Sequence, residues 1–335
     1  MTRIAVVGAG SWGTTLADLL VAKGDDVLLW AYEPEVAEEI NRRHRNDLFL
    51  PEAPLHPGVR ATTDLGAAVK DAGVVVCVAP SQAVQRVMRE AGRSLAAGAI
   101  VVSASKGLDG EGRRRMTEVL GAVLPAGTGI AALSGPTFAR EVYERQPTAA
   151  AVASASADVA RAAQMALAAP HFRIYTNDDV IGVELGGALK NVIAIAAGIL
   201  DGLGLGHNAR AALITRGLAE ITRLGVALGA RAETFAGLAG MGDLVLTATG
   251  HLSRNRSLGV ELGKGRTLDE VLAKRLSVAE GVETARAAVA LAEGAKVELP
   301  ISREVARVLF EGKSPKQAIG DLMERALTSE NGGMR

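Results

Sequence analysis

The sequence predicts an α/β fold, in which an N-terminal Rossmann-type doubly wound sheet is followed by an all-helical C-terminal domain. Short runs rich in Val, Ile and Ala alternate with amphipathic or Ala-rich segments in the first half of the chain. Parallel strands that are covered by helices on both faces have this pattern. Beyond about Asp179 the strand signals stop, and apolar residues recur at helical spacing, as in residues 209–228.

Seven strands are expected, at residues 4–7, 27–30, 74–78, 100–103, 130–133, 149–153 and 172–175. The length of 335 residues suggests two domains, which we place at residues 1–178 and 179–335.

The uncharged stretch 119–139 could span a bilayer by length alone, but two prolines and four glycines interrupt it. We therefore interpret it as a helix end, a loop, a strand and a turn, and expect no integral membrane association.

The composition excludes several classes of protein. Hydrophobic residues make up 48% of the chain, which favours a globular protein over a disordered one. The 37 basic residues are balanced by 37 acidic ones, so the chain lacks the positive charge that binds nucleic acid, and we expect no nucleic-acid partner. The only cysteine, Cys77, lies in an apolar run and is expected to be a buried thiol. With no secretory signal pattern at the start, we expect a cytoplasmic location. The five histidines lack ligand spacing, so no metal site is expected.

A glycine-rich turn follows the first strand. Gly8, Gly10 and Gly13 form a GxGxxG pattern that opens a helix, and the next strand begins at Val27. Such glycines allow a tight turn, the approach of a pyrophosphate to the backbone and close helix packing, while the helix N-terminus offers amides to the phosphates. In this context the pattern indicates dinucleotide binding, with a purely structural turn as the alternative.

The residues after the second strand bear on which dinucleotide binds. Glu33 lies 20 residues after Gly13, where a carboxylate accepts a hydrogen bond from the adenosine ribose of NAD. The alternative is that Glu33, which precedes Pro34, only places a favourable charge in the first turn of the next helix. The sequence therefore favours NAD over NADP.

Two lysines stand out by their surroundings. Lys106 follows the strand at 100–103, at the carboxyl end of the sheet where open α/β folds bind ligands, although an ordinary solvated lysine would fit there too. Lys190 interrupts a run of small and apolar residues between 180 and 200. It either extends to solvent or is held, partly desolvated, beside a partner that lowers its pKa toward the range useful for proton transfer.

Three further segments have the composition of ligand contacts. Residues 134–139 follow a strand and offer backbone amides and the Thr137 hydroxyl, or else form a plain turn. Residues 237–244 place Asp243 after a flexible glycine-rich turn. Ser253, Arg254 and Asn255 suit a phosphate or carboxylate at a helix start, although a capped helix with a surface arginine explains them equally well.

Taken together and in order, these motifs closely resemble the bacterial NAD(P)-dependent sn-glycerol-3-phosphate dehydrogenase family. Six segments carry the resemblance: residues 7–17 (VGAGSWGTTLA), 105–108 (SKGL), 133–139 (LSGPTFA), 187–194 (GALKNVIA), 239–244 (AGMGDL) and 253–255 (SRN). It implies interconversion of glycerol 3-phosphate and dihydroxyacetone phosphate, which supplies the backbone for phospholipid synthesis. A homodimer is compatible with the sequence, which leaves the oligomeric state open.

The resemblance also implies roles for individual residues. Lys190 would be the general acid and base. The substrate would be surrounded by Lys106, Gly135, Thr137, Lys190, Asp243, Ser253, Arg254 and Asn255. The cofactor would be bound by Gly8, Gly10, Ser11, Trp12, Gly13, Tyr32, Glu33, Lys106, Ala139, Arg254, Val278 and Glu280.

One departure from the family pattern concerns the cofactor. Many members carry Arg or His at the positions occupied here by Ala31 and Tyr32, where a cation can meet the 2'-phosphate of NADP. Two other functions would fit part of this sequence. A dehydrogenase acting on a 3-hydroxy acid would lack the full motif set, and a non-catalytic NAD sensor would have no use for Lys106 together with Lys190.

Overall fold

The computed structural model describes residues 3–109, 113–273, 280–327 and 329–330. The chain forms two compact units. Unit 1 comprises Met1–Ser105 and Arg115–Val180, and unit 2 comprises Lys106–Arg114 and Ile181–Arg335. The division into residues 1–178 and 179–335 stays a prediction, and the contacts of the chain additionally place Lys106–Arg114 with unit 2.

Unit 1 is built on one eight-stranded sheet with the strand order β3-β2-β1-β4-β5-β6-β7-β8. All seven predicted strands are present, together with a further one, β3. The strands are β1 (Arg3–Val7), β2 (Asp26–Trp30), β3 (Arg60–Thr62), β4 (Val74–Cys77), β5 (Ile100–Ser103), β6 (Gly129–Ser134), β7 (Thr148–Ala153) and β8 (Phe172–Asn177).

The sheet is parallel except at one pairing of the described strands. β6 and β7 run antiparallel, with Leu133 opposite Val152, so the parallel pattern expected from the strand composition does not extend to this pair. A parallel neighbour requires a long crossover, usually helical, whereas only a five-residue helix lies between β6 and β7. β3 was not predicted because it has only three residues and contains no apolar run.

Helices cover both faces of the sheet, as predicted. They are α1 (Ser11–Lys23), α2 (Pro34–Arg43), α3 (Leu65–Val69), α4 (Ser81–Ala91), α5 (Met116–Val123), α6 (Ala139–Tyr143) and α7 (Ala157–Leu167). Ile4 and Val6 join the apolar cluster on one face, and Ala5 and Val7 join the cluster on the other. This alternation along β1 is what burial on both faces requires. Cys77 is buried as expected, and burial raises its pKa to about 11.

The C-terminal segment of unit 2 is helical over the residues that the structure describes. It contains α8 (Val180–Gly202), α9 (His207–Ala227), α10 (Ala232–Phe235), a π-helical turn (Leu238–Gly242), α11 (Asp243–Thr249), α12 (Arg254–Gly263), α13 (Leu268–Leu272), α14 (Glu280–Ala295), α15 (Pro300–Phe310) and α16 (Pro315–Met323). By length and composition α8 could cross a membrane, but 83% of its most apolar window is buried inside the protein. The core helix of a globular domain has this character.

Small residues let α8 and α12 pack with their backbones in contact. A Cβ on Gly198 would lie 1.9 Å from the carbonyl oxygen of Arg256, and one on Gly259 would lie 2.0 Å from that of Ile195. Any larger side chain at either position would separate the helices. The close packing fixes the start of α12 relative to the middle of α8, where the side chains described below lie.

Candidate active site

The glycine-rich turn of unit 1 joins β1 to α1. Gly8 has a φ of +117°, and a Cβ on Gly13 would lie only 1.8 Å from the Gly8 carbonyl oxygen. By contrast, nothing lies within 4 Å of the point where a Cβ on Gly10 would stand. The turn is therefore packed tightly on its inner side and open at Gly10, with the first amides of α1 beside the opening. This arrangement fits the pyrophosphate of a dinucleotide.

Three other predicted cofactor residues of unit 1, Trp12, Tyr32 and Glu33, have different surroundings. Trp12 packs its ring edge-on against Phe172 at a centroid distance of 6.0 Å. Tyr32 is 65% exposed, and the guanidinium of Arg86 lies 5.9 Å from the centre of its ring. Glu33 is the N-cap residue of α2, but its side chain makes no capping hydrogen bond. Its carboxylate adds negative charge at this helix end without satisfying a backbone amide.

The segment from Gly135 to Ala139 forms a tight turn between β6 and α6. Gly135 has a φ of +142°, and a Cβ there would lie 2.9 Å from the Cα of Ala150. The Thr137 hydroxyl donates to the Gly135 carbonyl at 3.2 Å, and the Thr15 hydroxyl donates to the Ala139 carbonyl at 3.2 Å. These contacts define the turn, and ligand binding by Gly135, Thr137 and Ala139 stays a prediction.

Unit 2 brings two lysines to one carboxylate. Nζ of Lys190 lies 2.8 Å from Oδ1 of Asp243, and Nζ of Lys106 lies 2.7 Å from Oδ2. Lys190 also donates to the hydroxyl of Thr247 at 2.6 Å. Lys190 is only 6% exposed and Asp243 only 1%. Of the two interpretations of Lys190, a partly desolvated amine beside a partner is therefore right, and a side chain extending to solvent is wrong.

The electrostatics of this lysine–carboxylate cluster follow from its burial. The pKa of Lys190 is lowered to about 8, mainly because the amine is buried; Asp243 opposes this effect, and the charge of Lys106 adds to it. Burial would raise the pKa of Asp243, but the charges and hydrogen bonds of the two lysines outweigh it and keep that pKa below its usual value. The amine of Lys190 can thus change protonation near neutral pH, while Asp243 stays ionised.

A chain of amides fixes the backbone around the cluster. Nδ2 of Asn191 donates to the carbonyl of Lys106 at 3.0 Å, and Nδ2 of Asn255 donates to Oδ1 of Asn191 at 2.9 Å. Oδ1 of Asn255 accepts from the amide of Gly281 at 3.1 Å. This chain connects the start of α12 and the start of α14 with the residue beside Lys190. The predicted residue Asn255 is thus next to the cluster through Asn191.

The start of α12 combines a cap with an exposed cation. Ser253 accepts from the amide of Arg256 at 3.1 Å, so the capping interpretation holds for this serine. Arg254 is the first residue of the helix and is exposed. Glu280 begins α14, and Val278 lies outside the described residues. Within the described ranges, no group of three or more His, Cys, Asp or Glu side chains could hold a metal ion.

Comparison with known proteins decides the family. The models of the N-terminus and the C-terminus of NAD-dependent glycerol-3-phosphate dehydrogenase match residues 3–160 and 179–320. This chain belongs to the NAD-dependent glycerol-3-phosphate dehydrogenase family. The resemblance found in the sequence motifs is therefore confirmed, and so is the predicted fold class.

Individual members of the glycerol-3-phosphate dehydrogenase family match nearly the whole chain. Glycerol-3-phosphate dehydrogenase (NAD(P)+) of Citrifermentans bemidjiense is 54% identical over 330 residues, which cover 98% of each protein. The enzyme of the same name from Rhodospirillum rubrum is 53% identical, covering 98% of this chain and 94% of the relative. The crystal structure of glycerol-3-phosphate dehydrogenase from Coxiella burnetii superimposes with a TM-score of 0.92 at 41% identity, covering 97% of this chain and 99% of that one.

Thr247 in the cluster and Asn191 beside it were not among the predicted site residues of this member of the glycerol-3-phosphate dehydrogenase family. Thr247 lies four residues after Asp243, on the same face of α11, and that spacing was the available signal. Asn191 adjoins Lys190 and stood within a recognised motif, but no local feature of the sequence showed that it binds the Lys106 carbonyl.

Proposed function

We propose that the protein is an NAD(P)-dependent sn-glycerol-3-phosphate dehydrogenase, which interconverts sn-glycerol 3-phosphate and dihydroxyacetone phosphate. The observation that carries the proposal is the buried amine of Lys190, held against Asp243 and Thr247 in a family member. The reaction moves one hydride and one proton, and Lys190 is a group that can exchange a proton near neutral pH.

The residues of unit 1 fit a dinucleotide. When bound, NAD(P) supplies or accepts the hydride at its nicotinamide ring. Gly8, Gly10 and Gly13, with the amides of Ser11 and Trp12, would hold the pyrophosphate at the open side of the turn. The further cofactor residues of the proposal are Tyr32, Glu33, Lys106, Ala139, Arg254, Val278 and Glu280.

Lys190 would manage the proton on the C2 oxygen of the substrate. In ketone reduction its ammonium form donates a proton to this oxygen, and in alcohol oxidation the neutral amine takes that proton back. Thr247 and Asp243 fix the position of Nζ through contacts of 2.6 and 2.8 Å. A general acid with a pKa near the working pH is suited to both directions, because each protonation state is well populated.

The lysines of the cluster offer positive charge to an anionic substrate. With Lys190 protonated, two ammonium groups face the carboxylate of Asp243, and Glu280 is a further negative charge that acts on Lys190. Lys106 would hold the substrate, together with Gly135, Thr137, Asp243, Ser253, Arg254 and Asn255. The arginine is the group suited to the phosphate, since its planar guanidinium binds phosphate oxygens in pairs. Binding energy from the phosphate, remote from the reacting carbon, can be used to orient C2.

The cellular setting belongs to the same proposal. A cytoplasmic protein of this activity would provide glycerol 3-phosphate for phospholipid synthesis. A homodimer stays a prediction, as does the preference for NAD over NADP.

The test is a reduction assay with the purified protein, dihydroxyacetone phosphate, and NADH or NADPH. Oxidation of the cofactor is monitored by the absorbance of its nicotinamide ring. We expect oxidation of the cofactor with this substrate and much slower oxidation with unphosphorylated dihydroxyacetone. Turnover of a 3-hydroxy acid with NAD in place of glycerol 3-phosphate would replace the proposal with the neighbouring dehydrogenase class. Cofactor binding without turnover of either substrate would indicate a sensor.

A further inference from the structure

Asn46 is a buried amide in the connection between α2 and β3, and the function proposed above does not use it. Its exposure is 0%. A buried asparagine costs free energy unless its donors and acceptor are hydrogen-bonded, so its partners indicate why it is there. Both partners of its Nδ2 lie outside the connection itself, in the glycine-rich turn and at the start of α1.

The side-chain amide of Asn46 binds the turn through Nδ2 and its own connection through Oδ1. Nδ2 donates to the carbonyl of Ala9 and to the hydroxyl of Thr14, both at 2.8 Å. The Thr14 hydroxyl itself donates to the same Ala9 carbonyl at 3.1 Å. Oδ1 accepts from the amide of Phe49 at 3.3 Å. Two side chains from different elements thus hold one carbonyl, which belongs to the peptide between Ala9 and Gly10.

Fixing this carbonyl also fixes the amide on the other side of the peptide. The described part of the chain contains no cis peptide bond, and in a trans peptide the C=O and the N–H point in opposite directions. With the Ala9 carbonyl turned toward Asn46, the amide of Gly10 points away from it. No atom lies within 4 Å of the point where a Cβ on Gly10 would stand, and glycine itself limits the orientation of this peptide less than any other residue would.

We propose that Asn46 is a positioning residue for dinucleotide binding, which holds the Ala9–Gly10 peptide in the orientation that receives the pyrophosphate. The inference rests on the proposed function, since it assigns to Asn46 a part in binding the same cofactor. Pre-organisation of this kind raises affinity because the turn need not be ordered when the ligand binds.

The connection that carries Asn46 is itself held in place. The amide of His56 donates to Oδ1 of Asp18 in α1 at 2.6 Å. The hydroxyl of Tyr143 in α6 donates to the carbonyl of Pro54 at 2.7 Å. These two hydrogen bonds hold the connection against α1 and α6 independently of Asn46. Removal of the Asn46 side-chain amide should therefore leave the connection in place.

The experiment compares Asn46→Ala with a matched control, Asn41→Ala. Asn41 also makes two side-chain hydrogen bonds to the backbone, to the amide and the carbonyl of Ala61, each at 2.9 Å. It lies in the same unit but does not touch the glycine-rich turn. NADH affinity is measured by fluorescence titration below both melting temperatures, and the steady-state constants for NADH and dihydroxyacetone phosphate are measured in parallel.

We expect Asn46→Ala to raise the Kd and KM for NADH about tenfold or more, equivalent to about 1.4 kcal/mol. kcat at saturating NADH and the KM for dihydroxyacetone phosphate should change little. Asn41→Ala should lower the melting temperature but leave the Kd for NADH unchanged. Thr14→Val, which removes the second donor to the Ala9 carbonyl while keeping the shape, should raise the Kd in the same direction and provides the test if Asn46→Ala does not fold.

Two results would overturn the inference, and they are distinguishable. Asn46 is only a structural residue if Asn46→Ala and Thr14→Val bind NADH as tightly as the wild type does, or lose no more NADH affinity than Asn41→Ala does. The proposed function stands in that case. If the wild-type protein binds neither NADH nor NADPH, both the inference and the proposed function fail.

Discussion

Nζ of Lys190 and Oδ1 of Asp243 lie 2.8 Å apart although 53 positions separate the two residues in the chain. The other oxygen of the same carboxylate is taken by Lys106 at 2.7 Å. Two lysines this close would repel each other, and the shared carboxylate makes their proximity tolerable. When Lys190 gives up its proton, the carboxylate of Asp243 is still paired with Lys106. Because the three residues have different parts in this arrangement, replacing each of them should have a different effect.

Replacing Lys190 should abolish most of the chemistry. Lys190→Met keeps the length of the side chain but removes the amine, so kcat should fall by at least about 100-fold while NADH still binds. Lys106→Met is the matched comparison, since a lysine that only holds the substrate should alter KM more than kcat. Steady-state kinetics and NADH titration of both variants check this. Near-normal kcat in Lys190→Met, with loss of turnover only in Lys106→Met, would transfer the acid–base role to Lys106.

The pH dependence of turnover should depend on Asp243. In ketone reduction the ammonium form of Lys190 is the donor, so kcat should fall as the pH rises past its pKa of about 8. The charge of Asp243 raises that pKa, and Asp243→Asn should therefore move the fall in kcat to lower pH. Profiles of kcat against pH for both proteins measure this shift. A fall that stays in place or moves to higher pH would disagree with Lys190 as the proton donor.

NADH should be used at least as well as NADPH. Glu33 carries a carboxylate near the end of β2, and no arginine occupies positions 31–33. Arg42 is paired with Glu38 at 2.6 Å. The ratio of kcat/KM for the two cofactors is the measurement, and a preference for NADPH above roughly tenfold would show the prediction to be wrong. Arg86, which lies over the ring of Tyr32, is the cation to replace in that case.

Arg254 should bind the substrate phosphate rather than stabilise α12. Arg254→Ala should raise the KM for dihydroxyacetone phosphate sharply and leave the melting temperature nearly unchanged, because Ser253 provides the helix cap. Arg256→Ala is the contrasting variant, since Arg256 binds Asp201 at 2.6 Å and its loss should lower the melting temperature. Loss of stability in Arg254→Ala with unaltered kinetics would favour a purely structural arginine. A change in NADH affinity would not, since Arg254 is also a proposed cofactor residue.

Glu220 should make the stability of the protein depend on pH. This buried carboxyl group of α9 accepts hydrogen bonds from the amide of Ile301 at 2.5 Å and from the amide and hydroxyl of Ser302. Burial raises its pKa to about 7 from 4.5. The folded state therefore binds a proton more tightly than the unfolded state, and the stabilisation from this group is lost as the pH rises from about 4.5 to 7, by about 3 kcal/mol.

The comparison for Glu220 is Glu220→Gln, which cannot titrate. Denaturant unfolding of both proteins between pH 5 and 7.5 should show that the free energy of unfolding of the wild type decreases, relative to that of the variant, as the pH rises. Parallel curves for the two proteins would contradict a raised pKa at this position.

Much of the fold could be predicted because its signals are local. The alternation of apolar strands and helices, the glycine-rich turn after β1 and the loss of strand signals beyond Asp179 each lie within a short window of sequence. β3 was missed because three residues without an apolar run carry no such signal. The antiparallel pairing of β6 and β7 was missed because strand direction depends on how the intervening chain returns, not on the strand residues.

The same division applies to the candidate site. Local sequence patterns were enough to predict a lysine at 190 in an apolar helix, an acid at 243 after a glycine-rich turn, and a dinucleotide turn at the start of α1. The folded chain was needed to show that Lys190 and Lys106 share the carboxylate of Asp243 and that Asn46 holds the Ala9 carbonyl. These contacts join residues between 37 and 137 positions apart, and such pairings are set by the packing of whole elements, which leaves no periodicity in the sequence around either partner.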